Sequence, residues 1–180
     1  VCCLSQYYNQ TIIATGESVA APAANLWQII SGTLPPGLVF NGGQIQGPAS
    51  ITGFATTAGP YTFDIRITAP NGVEKTKSYI INVMGILTLT PLPGATPNVA
   101  YTITLSSAGF SPTFWTVISG SMPSGFSLNS VTGEISGTTT DVGDFTFTVQ
   151  ASDATNACSK TFQLACFAYS GIRVNAWKAY

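Results

Sequence analysis

The chain has 180 residues, 45% hydrophobic and only 7% charged, with 6 Lys plus Arg against 7 Asp plus Glu, a net charge of −1 and no His. So few cations cannot form a stripe that neutralises phosphates, which excludes nucleic acid as an expected partner, and no apolar run reaches the roughly 18 residues of a spanning helix, so no membrane insertion is expected. The lack of His removes His-based nucleophilic triads, most zinc sites and the commonest general base.

Residues 1–8 carry Cys2 and Cys3, and 10–14, with Ile12 and Ile13, are expected as a first edge strand. The start at Val1 fits a trimmed Met, a removed leader or a fragment, and the first residues lack the basic and apolar regions of a signal peptide. Residues 16–25 are rich in Ala and Pro, and Pro22 limits ladder pairing there. A β-branched run at 26–31 surrounds Trp27 and closes on Ser31-Gly32, which reads as a strand ending in a turn. In Leu34-Pro35-Pro36-Gly37-Leu38, Pro occupies the second and Gly the third position of a turn whose third residue needs positive φ.

Short strand fragments bracketed by Gly follow at 43–47 and 51–53. Residues 61–68 alternate strictly, which puts Tyr61, Phe63, Ile65 and Ile67 on one face of a strand. Pro70-Asn71-Gly72 holds the Asn-Gly pair that favours a hairpin, and 77–83 returns with Tyr79, Ile81 and Val83 on one face. Met84-Gly85 is then expected to be the whole linker, since 86–90 reads as the next strand.

From there the chain repeats itself. Residues 115–126, opening on Trp115 and reaching Pro123-Ser124-Gly125, rewrite 27–38 at a spacing of 88. Further on, Gly133-Glu134-Ile135-Ser136-Gly137 and the alternating run 145–151 match the first copy at a spacing of 84, so the first copy carries about four extra residues within 41–50. The copies define two domains, 1–84 and 85–168, followed by a tail at 169–180 that serves as an extra strand or an arm. No segment has a helical period, and the fold class is all-β. Trp27 and Trp115 are the expected core anchors.

The shared signature of Trp, Ser-Gly, Leu-Pro-Pro-Gly-Leu, Gly-x-Ile-x-Gly and Gly-x-Tyr-x-Phe resembles bacterial and phage immunoglobulin-like tandem repeats of cadherin-like type, over most of residues 10–167. The resemblance implies two tandem immunoglobulin-like β-sandwiches. It bears on turns and core positions, which say little about function.

The carboxylates Glu17, Asp64, Glu74, Glu134, Asp141, Asp144 and Asp153 are scattered apart from Asp141 and Asp144, and the junction at 83–90 has no acid that could bind calcium. No metal and no cofactor is therefore expected, and Asp141 and Asp144 read as turn formers. Cys158 and Cys166 lie at opposite ends of one expected strand, about 26 Å apart, too far for a bond. Cys166 is expected as a buried thiol, and Cys158 as the bonding partner of Cys2 or Cys3 of this or a neighbouring chain. In the tail, Ile172, Val174, Trp177 and Tyr180 are candidate subunit contacts, either on the chain's own domain or added to a neighbour's sheet.

The expected function is non-enzymatic: a structural or adhesive exterior component of a phage tail or head, or of a bacterial surface assembly, located on the virion exterior or cell surface. Its expected partners are copies of itself, other structural proteins of the same assembly, and a host-surface glycan or protein. The second reading is an accessory carbohydrate-binding module of a larger secreted adhesin or enzyme, with Tyr7, Tyr8, Phe110 and Trp177 as candidate stacking rings.

Overall fold

A computed structural model of the chain describes residues 2–14, 24–45 and 47–168. The strands, in order, are β1 (Cys2–Cys3), β2 (Tyr7–Ile12), β3 (Asn25–Gly32), β4 (Leu38–Asn41), β5 (Gly43–Ile45), β6 (Ala49–Phe54), β7 (Gly59–Thr68), β8 (Glu74–Ile86), β9 (Tyr101–Thr104), β10 (Ser107–Ala108), β11 (Phe114–Gly120), β12 (Phe126–Leu128), β13 (Glu134–Gly137), β14 (Gly143–Ser152) and β15 (Ala157–Cys166). No helix occurs among the described residues. The chain forms two compact units. The first takes in the described residues up to Leu87 together with Ser106–Thr113 and Ala151–Ser159; the second takes in Thr88–Leu105, Phe114–Gln150 and the described residues from Lys160 onward.

In the first unit, one sheet has the order β2-β6-β4 and the other the order β1-β8-β7-β3-β5, with β10 also paired to β8. Strict alternation in β7 sends Phe63 and Ile65 inward, where they meet Ile81 and Val83 of β8, Trp27 of β3 and Ile51 of β6 in one core. Cross-strand partners Phe63 and Tyr79 stack with ring centroids 5.9 Å apart. The β7-β8 hairpin closes as its Asn-Gly pair implies: Gly72 takes φ 83°, and the Val73 N–H donates to Asn71 Oδ1.

The second unit repeats the plan with sheets β12-β13-β9 and β11-β14-β15. Trp115, Ile135, Phe147, Val149, Phe162 and Leu164 are buried there, and Phe147 and Phe162 take the ring pairing of Phe63 and Tyr79, with centroids 6.1 Å apart. Trp27 and Trp115 are each only 4% exposed. The Pro-x-Gly turns are made alike in both copies: Leu38 N–H donates to the Pro35 carbonyl and Phe126 N–H to the Pro123 carbonyl, with Gly37 at φ 88° and Gly125 at φ 78°. Each turn abuts a second glycine. A Cβ on Gly53 would lie 2.3 Å from the Gly37 carbonyl oxygen, and one on Gly137 would lie 2.0 Å from that of Gly125.

Three local expectations change. The first long strand begins at Tyr7 rather than at residue 10, and pairs with β6 from Tyr7↔Phe54 to Ile12↔Ala49. Met84-Gly85 is strand rather than linker, because β8 runs on to Ile86 and uses those residues to pair with Cys3 and Ala108. Residues 87–90 are not a strand. Beyond them Pro91 and Pro93 offer no N–H, so only spaced bonds form, from Leu92 N–H to the Gln163 carbonyl and from Ala95 N–H to the Ala165 carbonyl. The extra residues of the first copy have a structure of their own. They build β5, which pairs with β3 at Asn25↔Ile45 and Trp27↔Gly43.

Candidate functional site

The cysteines are placed first by strand alternation. Cys2 and Cys3 are consecutive on β1, so their side chains leave opposite faces. Cys2 points into the core between the sheets of the first unit and is a free thiol. Cys3 is bonded to Cys158, with Cα atoms 5.8 Å apart, and this pair packs with Met84 and the half-buried Phe110 in a second small cluster of the same unit. Cys166 is free and buried at the end of β15. Burial pushes the Cys2 and Cys166 thiols above their ordinary pKa, which keeps both protonated and poorly nucleophilic.

The carboxylates are occupied with local hydrogen bonds. Asp64 accepts from the Ser31 and Ser78 hydroxyls, and those two bonds hold its pKa below the usual value. Asp141 accepts from the Ser124 N–H and hydroxyl, which lower its pKa and brace the Pro123-Ser124-Gly125 turn. Asp153 is lowered by the Thr155 N–H and the Asn156 side chain in a tight turn. Arg66 reaches Glu74 at 3.4 Å and Gln28 at 3.0 Å on an exposed sheet face, an arrangement that contributes little to stability. No group of three or more His, Cys, Asp or Glu placed to hold a metal ion occurs among the described residues. A surface concavity in the second unit, lined by Pro91, Phe145, Gln163 and Ala165 among others, brings Asp144 near apolar groups but sets no second acid beside it.

A different arrangement stands out on the outer face of β2-β6-β4. Antiparallel register sets Tyr7 opposite Phe54, Asn9 opposite Thr52 and Thr11 opposite Ser50, while Val39 and Asn41 of β4 flank Thr52 and Ser50 from the other side. Tyr7 is 62% exposed and Phe54 54% exposed, and their rings lie 5.3 Å apart at an interplanar angle of 56°. Further along the same face Asn41 Nδ2 donates to Ser50 Oγ and Thr52 Oγ1 at 3.2 and 2.9 Å, which holds the amide in place. The face therefore joins an apolar ring pair to oriented amide and hydroxyl groups, and carries no formal charge.

Of the rings singled out from sequence, Tyr7 is on this face. Tyr8 turns the other way and packs against the core, and Phe110 packs against the disulfide cluster. Trp177, together with Ile172, Val174 and Tyr180, lies outside the described residues. Phe54 was not anticipated. It follows Gly53, one residue past the expected 51–53 fragment, and its exposure depends on register with β2, which local pattern does not reveal.

Comparison with known proteins follows the same lines. A family model described as "Putative Ig domain" matches twice, at residues 5–84 and 85–166. No curated protein matches the sequence. Among solved structures, an endo-fucoidan hydrolase from glycoside hydrolase family 107 is 18% identical over 93% of this chain and 27% of that one, with a TM-score of 0.37. Extracellular cadherin domains 3–6 of protocadherin gamma B2 are 15% identical over 80% of this chain and 42% of that one, with a TM-score of 0.37. The tandem Ig repeats of Dlar are 10% identical over 93% of this chain and 92% of that one, with a TM-score of 0.36. The chain thus spans about a quarter of the hydrolase and less than half of the protocadherin fragment. With two copies of one signature, two sandwiches built on the same turns, and a family match over both, the chain belongs to the Putative Ig domain family as a tandem pair of immunoglobulin-like domains.

Proposed function

We infer that this chain is a non-enzymatic contact module displayed on the outside of a particle or cell, as a structural or adhesive component of a phage virion or a bacterial surface assembly. The observation that carries the reading is the buried Cys3–Cys158 bond. Disulfides of this kind persist in oxidising surroundings, and reducing cytoplasm works against them. The hydroxyl-rich, nearly neutral surface fits display rather than chemistry, and every acid described above as shifted is engaged in bracing a turn or a strand. Contact is made by sheet faces and loops, with partners among copies of the chain, other proteins of the same assembly, or host-surface glycans.

The test is labelling of intact native particles or cells with an antibody against the chain and with an amine reagent that does not cross membranes. Labelling before lysis is expected. A chain labelled only after lysis, with both of its paired cysteines reduced in the native material, overturns the reading.

A further inference from the structure

The two copies of the fold supply an internal control for the outer face of β2-β6-β4. Register equates β2-β6-β4 with β9-β13-β12: Gly53 pairs with Tyr8 and Leu38, and Gly137 pairs with Tyr101 and Phe126. One residue further along each strand, the place of Tyr7 is taken by Ala100 and that of Phe54 by Thr138, and both of these replacements are exposed. The place of Ser50 is taken by Glu134. A sandwich of this type therefore forms without rings at these two positions, and Tyr7 and Phe54, more than half exposed, contribute little to the core of the first.

We propose that Tyr7 and Phe54, with Asn9, Asn41, Ser50 and Thr52, form a binding site for a neutral hexopyranose of a glycan chain. The proposal rests on the reading of the chain as a displayed contact module and names what it contacts. A pyranose ring has an apolar C–H face, which stacks on an aromatic ring, and a rim of hydroxyls that both donate and accept hydrogen bonds. The exposed rings supply the first. The Asn9 amide and the Thr52 hydroxyl, paired across the strands and about 6.6 Å along them from the rings, supply the second for the stacked sugar, while Ser50 and Asn41, about 13 Å from the rings, meet the neighbouring sugar of the same chain. The tilt of 56° between the rings gives an angled seat for one residue rather than a flat track for a long chain.

Two features favour a sugar over a protein. The patch spans three strands and about five residues along each, on the order of 200 Å², whereas a stable protein contact buries about 800 Å² per partner. No carboxylate or cation lies among its residues, so neither an acidic nor a basic partner meets a complementary charge, and a neutral ligand meets no desolvation penalty for one.

The test uses the full chain with lactose, cellotriose and a sialylated lactose as probes. Saturation-transfer NMR should show contact at ring C–H protons of a neutral probe, and amide shifts should move at Tyr7, Asn9, Thr52 and Phe54. Tyr7→Ala and Phe54→Thr, made singly because they install the residues of the second copy, should each weaken binding about tenfold or more while leaving the melting temperature nearly unchanged. Silence with both neutral probes, shifts confined to other residues, binding that requires the sialic acid, or a concentration-dependent self-association that Tyr7→Ala abolishes would each overturn the site. Surface labelling distinguishes the two conclusions: silent sugars on a labelled chain defeat the site alone, and a chain hidden until lysis defeats the display reading whatever sugars it binds.

Discussion

The two copies differ most where the first has residues to spare. Between its turn and its central glycine the first copy inserts β5, which pairs with β3 beside Trp27; the second spans the same gap with a tight turn in which Asn129 Oδ1 accepts from the Val131 and Thr132 N–H groups. The outer faces differ as well, aromatic in one and hydroxyl-rich in the other. What both copies share, the buried Trp, the Pro-x-Gly turn, the glycine it abuts and the neighbouring ring pair, marks what this sandwich requires. What one copy holds alone is free for another purpose. A duplicated fold thus separates structural need from function without any outside reference.

The sharpest way to break that division is to remove a shared feature. Trp27→Ala and Trp115→Ala should each cost their own domain about 3–5 kcal/mol, read from denaturant unfolding of the full chain. A loss below about 1 kcal/mol at both sites would mean that the shared Trp is not the anchor. Next in size is a feature that the repeat does not duplicate. Replacing Cys3 and Cys158 together by Ala should cost about 2–5 kcal/mol, because the bond constrains a very long stretch of unfolded chain. The loss should appear in the transition that includes the first unit, where both cysteines lie.

Gly53→Ala and Gly137→Ala come third. Each glycine has positive φ, 134° and 146°, and each would drive a Cβ into the carbonyl of the facing turn. A cost of about 1–3 kcal/mol is expected at both, and an unequal result would show that one turn can shift where the other cannot.

The smallest effect is with pH. Asp64, Asp141 and Asp153 all have lowered pKa values in the fold. Their contribution is present above the unfolded carboxylate value of about 3.9 and is lost as pH falls through the lower folded values. Melting temperature should therefore drop between about pH 5 and pH 2, modestly because all three groups are exposed to solvent, and Asp141→Asn should reduce the drop.

Much of the architecture was legible because turns and alternation are local. Gly37 and Gly125 sit where Pro-x-Gly chemistry puts them, and Phe63 and Ile65 point inward because β7 alternates. The continuation of β8 through Met84-Gly85 was not legible, since it depends on pairing with Cys3 and Ala108, one close to the N-terminus and the other beyond the expected boundary. The candidate face was half legible. Tyr7 stood out as an aromatic residue near the N-terminus, but its partnership with Phe54 exists only through the register of β2 on β6, a distance of 47 residues that no local pattern spans.

The Cys3–Cys158 bond also sets the load path of the molecule. Tension applied to the chain on the far sides of those two residues passes through the sulfur bridge and bypasses the polypeptide between them. Residues 4–157 then carry no pulling force along their backbone, and among the described strands the load reaches Cys2 of β1 and the part of β15 beyond Cys158. A module that holds a ligand on the sheet β2-β6-β4 would keep that face intact while its attachment is being stretched.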